Sequence, residues 1–201
     1  MLILARHGQS EGNAAGLLLG RLDSPLTELG KLQAARIGGS LKAAGLAGSV
    51  RVLSSPLSRA LGTAEIICTA LGVEAGPLIE ERLIEVDYGV LDGVRHADIS
   101  ADIWKTWRGD VDWHPHGGES LSNLQLRVED LLEELRTEAS TQDVVAVSHV
   151  SPIKAATAWA IGAGPDLAWR LSLGVASLTR VSTGARPALV TFGETSHLHG
   201  L

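Results

Sequence analysis

Three short apolar runs each stop abruptly at a polar cluster, and this repeated stop constrains the fold more than any other feature of the chain. Leu2 to Ala5 runs into Arg6, His7 and Gly8; Val50 to Leu53 runs into Ser54, Ser55 and Pro56; Val144 to Val147 runs into Ser148 and His149. Leu2 to Ala5 and Val144 to Val147 are unbroken and the second run is interrupted by Arg51, and all three read as strands buried in a sheet interior. Helical patterns separate them. Thr27 is a candidate cap for a helix with the apolar stripe Leu32, Ala35, Ile37 and Leu41, ending near Gly45. A second helix has Pro56 in its first turn, passes through Leu61, Ala64, Ile67 and Leu71, and stops at Gly72. After Gly117 and Gly118, the spacing of Leu121, Leu124, Val128, Leu131, Leu132 and Leu135 predicts an amphipathic helix of several turns. A further helix is expected from Ser151 through Ala156 and Trp159, and closing strands over Val175 to Val181 and Ala188 to Phe192. Strand and helix alternate, which argues for an α/β layer structure with a largely parallel sheet.

The 201 residues carry no internal repeat, linker or low-complexity tract, so residues 1–201 read as one domain. Residues 91–118, with Trp104, Trp107 and Trp113 among Asp, Arg and Gly, read as a partly helical, cap-like insertion over the sheet edge. Leu, Ala and Val dominate a hydrophobic share of 45%, so aliphatic packing carries most of the burial energy. With 23 acidic against 17 basic residues the chain offers no basic footprint for nucleic acid or an anionic membrane. No apolar run approaches the ~18 residues of a membrane span, and the first residues lack the basic start of a signal peptide. The single cysteine, Cys68, cannot form an internal disulfide and reads as a small buried side chain. The cytoplasm is the default location, and the sequence leaves monomer and homodimer both open.

Ligands of open α/β sheets bind beyond the carboxyl ends of the strands, so the residues that follow the three runs belong to one crevice. Arg6 and His7, Arg59 on the helix after the second run, and His149 converge there. Guanidinium forks satisfy phosphate oxygens in pairs, so two arginines with two histidines make a site for a dianionic phosphoryl group.

The chain resembles the histidine phosphatase superfamily, also called phosphoglycerate mutase-like. Six blocks in order carry the resemblance: LILARHGQSEGN, GRLDSPLTELGKLQA, SSPLSRALGTAE, ERLIEVDYGVLDG, PHGGES and VVAVSHVSPIK. The resemblance implies a three-layer α/β/α sandwich with a mostly parallel central sheet. It implies that His7 attacks phosphorus and forms a transient phosphohistidine, which requires an unprotonated ring nitrogen and an opposite nitrogen held by a hydrogen bond, with the Gly8 carbonyl as one candidate partner. Arg6, Arg59 and His149 match the family's phosphate pocket, Asn13 a polar position that donates to phosphate, and Arg21 a position that contacts the substrate beyond its phosphate. Glu85 matches the acid that protonates the leaving alkoxide and then deprotonates water, and Asp87 is the alternative for that role. No cofactor or metal is implied.

The expected activity is metal-independent hydrolysis of a small phosphorylated metabolite. The alternatives are a cofactor-dependent phosphoglycerate mutase, whose members are usually longer with a larger water-excluding cap, and a catalytically silent phosphate-binding module. Trp107, Trp113 and His116 are expected to select the leaving group. Val150 stands where many members of the family carry glycine, and a β-branched residue there disfavours positive φ and predicts a tighter pocket. The pairs His114/His116 and His197/His199 lack a carboxylate or cysteine at ligand spacing and read as surface residues, the second pair lying in an end that is either disordered or folded over the crevice. A neutral nucleophile predicts that activity falls as pH drops through the ~6.5 reference value of imidazole, unless the pocket shifts it.

Overall fold

The computed structural model describes residues 1–48 and 50–201. Its strands are β1 (Leu2–Arg6), β2 (Arg51–Ser54), β3 (Leu78–Ile79), β4 (Val144–Ser148), β5 (Leu178–Ser182) and β6 (Ala188–Glu194), and its helices α1 (Glu11–Ala14), α2 (Glu28–Ala43), α3 (Ser58–Leu71), α4 (Ala101–Gly109), α5 (Leu121–Thr141) and α6 (Val150–Ile161). The sheet order is β3-β2-β4-β1-β5-β6. The first four strands of that order are parallel, β5 runs antiparallel to β1, and β6 antiparallel to β5.

Alternation along the central strands sorts the core onto two faces. Leu2 and Leu4 of β1 join Val144 and Ala146 of β4 under Leu124, Val128, Leu131 and Leu132 of α5 and Ile153 of α6. Ile3, Ala5, Val145 and Val147 point the other way, against Ile37 and Leu41 of α2 and Ala60, Ala64 and Ile67 of α3. Both sheet faces are thus covered by helices, the three-layer sandwich expected, and this is why those strands read as unbroken apolar runs rather than alternating ones.

Local chemistry sets most boundaries. The Thr27 hydroxyl accepts from the Gly30 N–H at 3.0 Å and starts α2, and the Ser120 hydroxyl accepts from the Asn123 N–H at 3.1 Å and starts α5. Gly72 ends α3 in the left-handed region at φ 74°. Two expectations need correction. Pro56 lies before α3, whose first helical residue is Ser58. Residues 175–177 are not strand, because Ala176 takes φ 55° and β5 begins only at Leu178. The parallel edge strand β3 leaves no pattern in the sequence, because it is two residues long and both are exposed.

The segment from Gly89 to Trp113 holds short 3-10 turns and α4, and it is tied to the loop after α1 by the Leu18 N–H donating to the Val94 carbonyl at 2.8 Å. Leu18, Ile99 and Trp107 form a small core of their own there. Among the described residues no helix is long and apolar enough to cross a membrane.

Candidate active site

Register brings the site together. Arg6 of β1 pairs with Ser148 of β4, so His7 and His149 leave the sheet side by side, and Ser54 of β2 pairs with Val147, which sets Ser55 next to them. Both imidazoles are buried, at 3% and 0% exposure. His7 Nδ1 lies 2.7 Å from the Gly8 carbonyl oxygen. A carbonyl only accepts, so Nδ1 carries the proton and Nε2 keeps its lone pair. Backbone bonds hold the residue at both ends: its N–H donates to Ser148 O at 3.0 Å and its carbonyl accepts from the Ala176 N–H at 2.9 Å. His149 Nε2 lies 2.7 Å from the Ser55 hydroxyl, and its Nδ1 has no protein partner.

Cations surround this pair. Arg6 donates through Nη1 to Leu173 O at 2.6 Å, and Arg59 donates to Leu22 O at 2.9 Å and Gly20 O at 2.7 Å. The Nε atoms of both arginines are buried and unpartnered. Burial draws Arg6 down to about 10 and lowers Arg59 as well, while Glu85 opposes the shift in both. His7 is held well below its ordinary value, first by burial and then by Arg6 and Arg59, against the opposing Gly8 hydrogen bond. Burial also depresses His149, followed by the influence of His7 and Arg59. The pocket therefore favours neutral imidazoles beside charged guanidiniums.

Glu85 is 3% exposed. Its carboxylate accepts from the N–H of Val86 at 2.8 Å and from the N–H of Ser151, in the first turn of α6, at 3.2 Å. The N-terminal end of α6 thus supplies fixed positive dipole to that carboxylate.

A cavity of about 210 Å³ opens over these groups, and Arg6, His7, Asn13 and Glu85 face it. Asn13 Oδ1 accepts from the N–H and hydroxyl of Ser10 at 3.1 and 3.0 Å, which leaves its NH2 group for a ligand. Arg59 and His149 lie close to His7 but are not among the residues that face the cavity. Arg21 is not brought to it: its Nη2 pairs with Glu119 at 3.5 Å. Asp87 is also turned away, its carboxylate accepting from the Gly89 N–H at 2.8 Å.

Of the residues expected to select the leaving group, Trp107 faces the cavity, Trp113 packs against Trp107 with centroids 5.8 Å apart, and Trp113 and His116 do not reach it. Trp104 reaches it instead. Lys154, Tyr88, His96 and Trp169, which the sequence reading did not single out, face it too. Lys154 had a signal in the sequence, because it follows Val150 by one helical turn and so shares its face of α6. Trp169 had none. Val150 takes no positive φ and is among the residues that line the cavity.

The two histidine pairs stay apart from the cavity. His114 Nδ1 meets Pro115 O at 3.0 Å, and His197 Nε2 meets Ala176 O at 2.9 Å, so the chain end packs beside β5 rather than over the crevice. Among the described residues no three His, Cys, Asp or Glu gather as a metal site.

Similarity to known proteins identifies the family. The chain is 33% identical over 181 residues to a bifunctional protein of Mycobacterium tuberculosis, which covers 89% of this chain and 49% of that protein. The chain thus spans about half the length of the first mycobacterial relatives it matches. It is 34% identical over 203 residues to phosphoserine phosphatase 1 of Hydrogenobacter thermophilus, covering 98% of this chain and 93% of the relative. Among solved structures, the mycobacterial glucosyl-3-phosphoglycerate phosphatase in complex with VO3 superposes with a TM-score of 0.86 at 30% identity, covering 96% of this chain and 99% of that one. The sequence model of the histidine phosphatase superfamily, branch 1, matches residues 2–195, and the chain belongs to that superfamily.

Proposed function

We propose that the chain hydrolyses small phosphomonoesters in two steps through a phosphohistidine on His7. In the first, the lone pair of His7 Nε2 attacks phosphorus, the P–O bond to the leaving group breaks, and Glu85 gives its proton to the departing alkoxide. In the second, Glu85 takes a proton from water, the water oxygen attacks phosphorus, and the N–P bond breaks, which returns neutral His7 and inorganic phosphate. Arg6, Arg59, an N–H of His149 and the amide of Asn13 stabilise the charge on the transferring oxygens. The proposal calls on no metal or other cofactor.

One observation carries it: the hydrogen bond from His7 Nδ1 to the Gly8 carbonyl leaves Nε2 as the unprotonated atom. Buried Cys68, its thiol raised by burial, suits a reducing compartment, and the cytoplasm is the proposed location.

Phosphorus NMR tests the reading. Across a panel of phosphomonoesters that includes 3-phosphoglycerate with a trace of 2,3-bisphosphoglycerate in chelator, wild-type protein is expected to release inorganic phosphate from at least one ester and His7→Ala protein from none. Phosphate release undiminished in His7→Ala removes His7 as nucleophile. Formation of the 2-isomer with little phosphate assigns a mutase, and no reaction with any ester leaves a phosphate-binding protein.

A further inference from the structure

The cavity has two chemically distinct ends. Arg6, His7 and Glu85 form one, and Lys154 belongs with them: its electrostatic neighbours are Glu85 and Arg6, and its Nζ donates to Ala168 O at 2.7 Å. The other end is aromatic. Trp104 and Trp107 stack with centroids 5.7 Å apart and planes at 9°, and Trp169 stands edge-on to both, at 6.4 and 5.5 Å. Exposed Arg108 lies over the rings of Trp104 and Trp169 at 5.8 and 5.9 Å, bracing them through cation–π contact.

Polar groups are few at this end: the His96 imidazole faces the cavity and stacks on Trp104 at 6.0 Å, and the Arg108 guanidinium lies over the rings without lining the cavity. Arg6 is the only arginine among the described residues that face the cavity, and it belongs to the phosphoryl end. Arg21, the cation expected to meet the substrate beyond its phosphate, is paired with Glu119 outside. A carboxylate or a set of hydroxyls placed against these indole faces would lose water and find the single imidazole of His96 as cavity-facing partner there, whereas a flat apolar ring gains burial and aromatic contact. Size points the same way, since about 210 Å³ is below the ~300–1,000 Å³ of sites for drug-sized ligands.

We propose that the leaving group is a compact, weakly polar alcohol of about one ring, seated against Trp104 and Trp169, rather than a carboxylate-bearing or polyhydroxylated one. This deepens the phosphatase reading and rests on it for turnover, but its content is a difference in affinity and is tested as one.

The probes are 2-phenylethyl phosphate, glycerol 3-phosphate and 3-phosphoglycerate. All three are esters of primary alcohols, so a difference among them does not come from an activated leaving group. Calorimetry on His7→Ala protein, which keeps the cavity and removes the nucleophile, gives the three affinities. The proposal expects 2-phenylethyl phosphate to bind at least about tenfold more tightly than either of the others. It further expects Trp104→Ala or Trp169→Ala, each in the His7→Ala background, to erase that ratio while leaving glycerol 3-phosphate within about twofold, and Trp104→Phe to keep most of it. Equal or tighter binding of 3-phosphoglycerate or glycerol 3-phosphate overturns the proposal, and so does a tryptophan substitution that leaves the ratio unchanged. Phosphate release by the wild type from 2-phenylethyl phosphate is the separate readout for the phosphatase reading. If affinity favours the aromatic ester and no phosphate is released, the hydrolytic reading fails while the specificity of the cavity stands.

Discussion

The imidazoles of His7 and His149 lie with ring centroids 5.0 Å apart and planes inclined at 58°, both shut away from solvent. Burial depresses both, His7 adds to the depression of His149, and the flanking guanidiniums of Arg6 and Arg59 act on each. The fold therefore holds two histidines neutral at pH values where the unfolded chain protonates them. In both, the folded value is depressed, so the stability associated with them is fully present above the unfolded value of ~6.5 and is lost as pH falls from there toward the folded values. The expected slope below pH 6.5 is roughly 1 kcal/mol per pH unit for each imidazole. Urea unfolding between pH 5 and 8 measures it, and nitrogen NMR of labelled histidine checks its cause: His7 should show protonated Nδ1 and bare Nε2 below pH 6.5. The sequence-based expectation of a titration near 6.5 is thereby moved to lower pH, for the reason that burial and two arginines act together.

Gly8 links packing to the proposed chemistry. A Cβ on this residue would sit 2.3 Å from the Gly30 carbonyl oxygen, a backbone atom of α2 that has nowhere to go. The Gly8 N–H also donates to the Thr63 hydroxyl at 3.0 Å, and that hydroxyl donates to the Arg59 carbonyl at 2.8 Å, so displacement at Gly8 is felt at both His7 and Arg59. Gly8→Ala is expected to cost about 1–3 kcal/mol of stability. It should also lower kcat, because the carbonyl that orients His7 must move. Denaturation curves and steady-state rates on the same preparation measure the two together.

The proposed phosphate site also draws on a residue with a structural task, Arg59. At 1% exposure it spends its guanidinium on the Gly20 and Leu22 carbonyls, fixing the loop that follows α1. Arg59→Met keeps much of the length of the side chain and strips those carbonyls of their donors, at an expected cost of about 3 kcal/mol. Inorganic phosphate should raise the unfolding midpoint of the wild type by mass action and raise that of Arg59→Met far less. An equal shift in both proteins would remove Arg59 from the phosphate site.

The central sheet was legible because the strands are buried on both faces, so Ile3 and Ala5 had to be as apolar as Leu2 and Leu4. The stops at Arg6, Ser54 and Ser148 were legible for the same reason, since a strand that leaves a covered sheet meets polar surroundings at once. Ala176 gave no such sign: its φ of 55° is imposed by tertiary bonds, with its N–H given to His7 and its carbonyl accepting from the His197 side chain. The phosphoryl end of the cavity came from motifs near strand ends. The aromatic end was legible in part: Trp107 was expected at the crevice from its place in the cap, whereas Trp169 arrives from a 3-10 segment, Pro165–Arg170, whose position only the packing of α6 against its neighbours decides. Arg21 was misplaced because no sequence pattern shows that Glu119 lies within its reach.

Glu119 has a further use, which assigns the PHGGES block a task. Its carboxylate holds Arg127 in a two-pronged pair at 2.7 and 3.0 Å. Arg127 in turn donates to the carbonyls of Arg82 at 2.6 Å and Glu85 at 3.3 Å. The main chain that carries the Glu85 carboxylate is therefore clamped from behind by a guanidinium that does not face the cavity. A lysine cannot reproduce a planar fork that serves a carboxylate and two carbonyls at once. Arg127→Lys is expected to lower kcat by about tenfold with little change in KM, since the phosphoryl group is still bound while the proton donor is held less well. Arg127→Gln, which loses the charge as well, should fall further and also lose stability. If Glu85 is set by this clamp, the loss in Arg127→Lys should shrink for an ester of a strongly acidic phenol, whose leaving oxygen needs no proton. An equal loss for both kinds of ester would show that Arg127 supports only the fold.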